Sequence, residues 1–184
     1  MEWIAFWDHQ ILSQLIQHMR TDWLTPIMTY ITSLGNVGAV WLAIALVCLM
    51  RPQSRRCGAA MIAALLLGLV LGNGLIKHWV ARPRPFLTHV DLIPLIREGG
   101  FSFPSGHTLS SFTAATACFC YYKKTGAACY VLAVLIGFSR LYMGVHYPSD
   151  VLCGGLLGIF IGLAAVWLVN RTADAVRFAR IKRK

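Results

Sequence analysis

Long apolar stretches separated by short polar or basic turns set the pattern of this chain. Over residues 3–19, Ile4, Trp7, Ile11, Leu15 and Met19 recur near the helical period, with Asp8, His9, Gln14 and Gln17 between them. That spacing predicts an amphipathic helix lying in a membrane interface. Trp3, Trp7 and Trp23 suit the headgroup belt. Residues 1–7 lack the basic start and cleavage site of a secretory signal. Residues 22–36 are apolar but short and carry Pro26, Ser33 and Gly35. The pattern leaves open whether they cross a membrane or pack as a half-helix. The runs 37–50, 58–76, 105–122, 127–138 and 151–170 each read as helical spans, several near the ~20 residues that cross a bilayer. Gly68 with Gly72, and Gly154 with Gly158 and Gly162, form small-residue stripes that allow close helix packing. The prediction is an all-α, polytopic membrane helical bundle with five to six transmembrane helices plus the N-terminal amphipathic helix. It forms one domain over 1–184, with the interfacial helix at 1–21, a core at 58–170 and a basic tail at 171–184.

Composition supports the membrane reading, because 57% of the residues are hydrophobic, above the usual share of a soluble domain. The formal charge of +10 changes the picture only through its distribution. Arg51, Arg55 and Arg56 form one cluster and Lys123 with Lys124 a second; Arg171, Arg177, Arg180, Lys182, Arg183 and Lys184 form a third. If the apolar runs alternate in direction, all three clusters share one side, which the positive-inside rule makes cytoplasmic. The charge is then a topology signal, aided by anionic lipid headgroups, and not a footprint for nucleic acid. Asn170-Arg171-Thr172 matches a glycosylation triplet but falls on that inner side. The six cysteines lie in apolar runs or at their inner ends without a zinc spacing, so neither disulfides nor metal are expected of them.

The chemistry collects on the opposite face. The stretch 139–150 holds Arg140, His146 and Asp150 between two apolar runs, and ionisable groups beside a bilayer are functional candidates. Pro148 fits the first position of the last helix, which puts Asp150 in its opening turn. A carboxylate accepting from one imidazole nitrogen leaves the other as a lone pair. Arg140 offers a planar fork to a phosphate or carboxylate. Upstream, 77–85 carries Lys77 at a span's end and Arg84 between prolines. Pro104-Ser105-Gly106-His107 places an N-cap serine and a glycine ahead of a long helix, where free N–H groups bind anions. Together they compose a phosphate site. Lys77, Arg84 and Arg140 balance charge, and Ser105 and the Gly106 N–H bond oxygens. Of the two histidines, one attacks phosphorus and one protonates the leaving oxygen.

These motifs resemble the type 2 phosphatidic acid phosphatase superfamily, which includes the vanadium haloperoxidases. Its patterns Lys-x6-Arg-Pro, Pro-Ser-Gly-His and Ser-Arg-x5-His-x3-Asp stand here as Lys77 to Arg84-Pro85, Pro104 to His107, and Ser139-Arg140 to His146 and Asp150. Every fixed position matches, over about 58–170. The resemblance implies that His146 is the nucleophile, oriented by Asp150, and that His107 is the general acid. Lys77, Arg84, Ser105, Gly106 and Arg140 would bind phosphate without a metal or other cofactor. Arg82 and His78 match no fixed position and are expected at the rim.

The implied activity is hydrolysis of a membrane lipid phosphate at the outer face of a bacterial plasma membrane, with undecaprenyl diphosphate as the leading substrate. Phosphatidylglycerophosphate or phosphatidate is the alternative. A haloperoxidase is disfavoured by the apolar spans, and a non-catalytic lipid binder by the presence of both histidines. The segment 86–103, with Leu92, Ile93, Leu95, Ile96, Asp91, Arg97 and Glu98, is expected to select the headgroup.

Overall fold

The computed structural model describes residues 2–181, with side chains described for 3–175, and all the regular elements among them are helices. Lys182, Arg183 and Lys184 of the expected tail lie outside the described residues. The amphipathic helix is present as α1 (Glu2–Met19). Trp3, Ile4, Phe6, Trp7 and Ile11 are exposed on it, whereas Asp8 and Leu12 are buried. A helix that turns its apolar side outward and hides a carboxylate suits a lipid-facing surface.

The open question at 22–36 resolves into a broken element. α2 (Leu24–Leu34) and α3 (Ala39–Met50) are joined at Asn36–Gly38, where Val37 and Gly38 adopt positive φ of 53° and 69°. The two halves bend by 48° and are together long and apolar enough for one span. Next come α4 (Arg55–Gly68), a wide π-helical stretch at Leu69–Ile76 and α5 (Lys77–Val80). The expected run 58–76 is therefore the middle of a longer helical segment. Short α6 (Pro85–Thr88) precedes a loop, and α7 (Gly106–Tyr121), α8 (Lys123–Tyr142) and α9 (Pro148–Ile181) complete the bundle. α9 starts at Pro148, as expected, and continues past Asn170 into the stretch read as a basic tail. By length and composition three segments, Pro52–Thr88, Lys123–Tyr142 and Pro148–Ala175, suffice to cross a membrane, and the α2–α3 pair adds a fourth.

At 16 residues α7 is shorter, and it is the helix around which the others pack. It contacts α4, α8 and α9 through small residues that include Thr108, Ser111, Thr113, Ala114 and Ala117. The glycine stripe of α9 faces it so closely that a Cβ at Gly158 would stand 2.7 Å from Phe112 Cβ, and one at Gly162 2.7 Å from Thr116 Cβ. Gly72 is tighter still, 2.2 Å from Leu109. Trp41 Nε1 donates to Ser111 Oγ at 2.9 Å inside the core, where the free cysteines Cys57, Cys118 and Cys129 are also buried.

The two ends of the bundle differ. At one, Tyr122 donates to the Gln53 carbonyl at 3.0 Å and Tyr121 to Asn170 Oδ1 at 2.8 Å, which brings the first two basic clusters to the same end as Arg171. At the other, Leu12 of α1, Leu92 of the 89–105 loop and Tyr147 pack together.

Candidate active site

The turn between α8 and α9 is five residues long, from Met143 to Tyr147, and Gly144 takes φ +75° within it. A side chain at Gly144 would be strained and would meet Arg20 Nη2 at 2.8 Å. This tight reversal buries His146 and leaves Asp150 one turn beyond it. The Asp150 carboxylate accepts from the Tyr147 N–H at 2.9 Å and Ser102 Oγ at 2.5 Å, and its other oxygen accepts from Arg82 at 2.7 Å. His146 Nδ1 lies 3.6 Å from Asp150 Oδ2 and 3.4 Å from Ser102 Oγ. The expected pair is thus assembled, with Ser102 wedged beside it. Burial pushes the His146 pKa down to about 4; Asp150 opposes the shift, and Arg140 and Arg84 add to it. The imidazole is neutral near pH 7, with a lone pair to use.

Both site arginines are buried. Arg84 donates to the carbonyls of Val145, Gly99 and Gly100 at 3.0, 2.9 and 3.2 Å, and its Nη1 lies 3.4 Å from His146 Nε2. Arg140 donates to Thr32 Oγ1 at 2.5 Å and to the Glu98 carboxylate. Its Nε is buried with no partner among the described residues. Glu98 also sits 3.2 Å from Arg84 Nη2, so one carboxylate bridges the two guanidiniums expected to hold phosphate. Burial would raise the Glu98 pKa, but Arg140, His107 and Arg84 outweigh it and hold the group below the usual range.

The start of α7 supplies the third part. Ser105 is the N-cap by position but makes no side-chain cap; its buried Oγ accepts from Thr108 Oγ1 at 3.0 Å. The first N–H groups of α7 have no intrahelical partner. His107 Nε2 donates to Asn36 Oδ1 at 3.0 Å, and its ring packs on Gly35, where a Cβ would stand 2.7 Å from His107 Cδ2. Lys77, Glu98, Gly106, His107 and His146 line one cavity of about 420 Å³. Asn73, one turn before Lys77, lines it too, and its Oδ1 is buried without a partner among the described residues.

Seven of the eight expected side chains or backbone groups fall on or beside this cavity through the contacts above, and Asp150 stands behind His146. Several contributors escaped the sequence reading. Ser102, Thr32, Asn36 and Asn73 carry no charge to mark them. Glu98, in the segment expected to select the headgroup, pairs with Arg84 and Arg140. Arg82 is not at the rim: it donates to Asp8 at 2.7 Å as well as to Asp150, with its guanidinium 4.0 Å over the Tyr147 ring. Asp8 also accepts from the Ser149 N–H at 2.9 Å. His78 is exposed and donates to the Gly74 carbonyl at 2.8 Å. Arg82 engages Asp150, and Glu98 offsets part of the charge of Arg84 and Arg140, which with Lys77 leave the cavity net positive.

Two histidines, one backed by a carboxylate, meet basic side chains around a cavity at one end of an apolar helical bundle, the constellation expected of a membrane phosphate-transfer site. Residues 57–174 match the PAP2 superfamily, and the chain belongs to that family. It is 31% identical over 165 residues to phosphatidylglycerophosphatase B of Bacillus subtilis, covering 83% of this chain and 78% of that protein. It is 34% identical over 160 residues to undecaprenyl-diphosphatase BcrC of the same organism, covering 84% and 77%. The crystal structure of a transmembrane PAP2-type phosphatidylglycerolphosphate phosphatase from Bacillus subtilis superposes with a TM-score of 0.73 at 28% identity, over 96% of this chain and 89% of that one. The family resemblance carried by the three motifs is borne out.

Proposed function

We propose that this PAP2 protein is a lipid phosphatase that converts undecaprenyl diphosphate to undecaprenyl phosphate and phosphate through a phosphohistidine at His146. The observation that carries the lipid reading is the cavity wall. Besides Lys77, His107 and His146 it is lined by Leu42, Leu65, Leu66 and Leu69, and Leu42, Leu66 and Leu69 are exposed on the bundle's outside. A headgroup can reach the histidines while its chain stays in the bilayer.

His146 Nε2 attacks phosphorus and the bond to the leaving oxygen breaks. His107 protonates that oxygen, and water then releases phosphate from His146. Asp150 and Ser102 orient the imidazole. Lys77, Arg84, Arg140, Ser105 and the Gly106 N–H stabilise the phosphoryl oxygens, so no metal is required. The incoming phosphate takes over the arginines that Glu98 bridges. With α2–α3, α4–α5, α7, α8 and α9 each read as a crossing and the basic turns read as cytoplasmic, the site lies on the extracytoplasmic face and the C-terminal tail in the cytoplasm. Similarity to phosphatidylglycerophosphatase B supports phosphatidylglycerophosphate as the second substrate reading.

Phosphate release by purified protein in chelator, compared across undecaprenyl diphosphate, phosphatidylglycerophosphate and phosphatidate, tests both. The highest kcat/KM is expected on undecaprenyl diphosphate. A higher value on phosphatidylglycerophosphate reverses the order, and no release from any of the three overturns the phosphatase reading.

A further inference from the structure

Outside the catalytic cavity but on the same end of the bundle, α1 meets the loop that follows α6 through three metal-competent side chains. His9 Nε2 lies 2.9 Å from Asp91 Oδ2 across 82 residues of sequence. The rings of His9 and His89 stack with centroids 4.3 Å apart and an interplanar angle of 33°. One donor atom from each of His9, His89 and Asp91 lies within 4.8 Å of the other two. The scaffold beneath is fixed: Leu12 of α1, Leu92 and Tyr147 are packed and buried, and the His89 ring meets the Tyr147 ring edge-on at 6.3 Å. Among the described residues the His89 ring makes no hydrogen bond.

We propose that His9, His89 and Asp91 bind a zinc-class divalent cation that fastens α1 to the 86–103 segment. Two imidazoles and a carboxylate are a donor set for zinc, nickel or copper, whereas magnesium and calcium prefer oxygen alone. Zinc–ligand bonds of ~2.0–2.1 Å put tetrahedral partners ~3.3 Å apart, so no gap has to close by more than about 1.5 Å. All three side chains reach the surface and can rotate by that amount, and a water completes the shell. Asp8, next to His9, bonds Arg82 and Ser149, so an ion at this position steadies α1 where it meets the Asp150 network. The hydrolytic chemistry does not pass through it.

The test uses the full chain, stripped with a chelator and returned to a bilayer or detergent. Zinc added alone should bind with one ion per chain by calorimetry and raise the unfolding temperature, while magnesium should do neither. His9→Ala, His89→Gln and Asp91→Ala should each weaken zinc binding at least tenfold, on the scale of 10–100-fold for losses even one shell further out. An unchanged metal-free unfolding transition in the variants shows that they fold. Zinc that leaves stability unchanged, or that binds His9→Ala and His89→Gln as tightly as the unaltered chain, overturns the site.

Discussion

Of the two histidines that line the cavity, only His146 is backed by a carboxylate, while His107 is held by the amide of Asn36. The difference separates their roles. His146→Ala should abolish turnover of lipid and of an activated aryl phosphate alike, because no phosphohistidine can form. His107→Ala should lose most activity on the lipid, by about 10²–10⁴-fold for a general acid, yet keep measurable activity on the aryl phosphate, whose leaving group needs no proton. Steady-state rates on the two substrates check this, and the opposite pattern reverses the assignment. The pH profile follows from burial. With the His146 pKa at about 4, the nucleophile stays neutral until the pH falls well below the ordinary 6.5 for histidine. After correction for substrate ionisation, the acid limb of kcat/KM should therefore lie nearer 4 than 6.5. A limb at 6.5 would show that the imidazole is not desolvated as described.

At the scale of elements, α1 is part of the site and not only an anchor. Its Asp8 shares Arg82 with Asp150, so Asp8→Asn should mis-set the dyad. About 1.5 kcal/mol, the lower range for a charged hydrogen bond, corresponds to a fall in kcat of roughly tenfold. KM should change little and Asp8→Glu should recover part of the rate. Loss of thermal stability without any change in kcat would leave Asp8 a purely structural role. Packing of α9 on α7 gives a second prediction, measured by thermal unfolding. A Cβ at Gly158 would stand 2.8 Å from the Leu109 carbonyl oxygen, whereas one at Gly155 meets only the Phe112 ring at 3.6 Å or beyond. Gly158→Ala should destabilise by about 1–3 kcal/mol through overpacking. Gly155→Ala should stabilise by up to ~1 kcal/mol through helix propensity. Equal effects at both positions would mean that the helices are not in close contact.

For the whole molecule the decisive property is polarity along the bundle axis. Basic turns at one end and the site at the other predict an extracytoplasmic site by the positive-inside rule. A cysteine at Val90, which is 99% exposed at the site end, should react with a membrane-impermeant thiol reagent in intact cells lacking other reactive thiols. Labelling only after lysis reverses the topology.

Much of this organisation was legible in the chain. Helical periodicity, the basic turns and the three phosphate motifs are local patterns, because a helix satisfies its own backbone and each motif spans few residues. The start of α7 at Gly106 and that of α9 at Pro148 followed from cap and proline rules, and the buried His146 and Arg140 from their cost beside a bilayer. What the chain alone left undecided are partnerships between segments far apart. Arg82 and Arg84 are separated by one proline, yet one serves Asp8 and Asp150 and the other lies against His146 and Glu98. Asp8 reads as the polar side of an amphipathic helix, and only the position of α1 over the His146 turn turns it inward. Asn36 meets His107 only because α2 breaks beside the start of α7. A long side chain's partner depends on which helices are adjacent, and adjacency is set by close packing of Gly, Ala, Ser and Thr faces, which local sequence patterns do not encode.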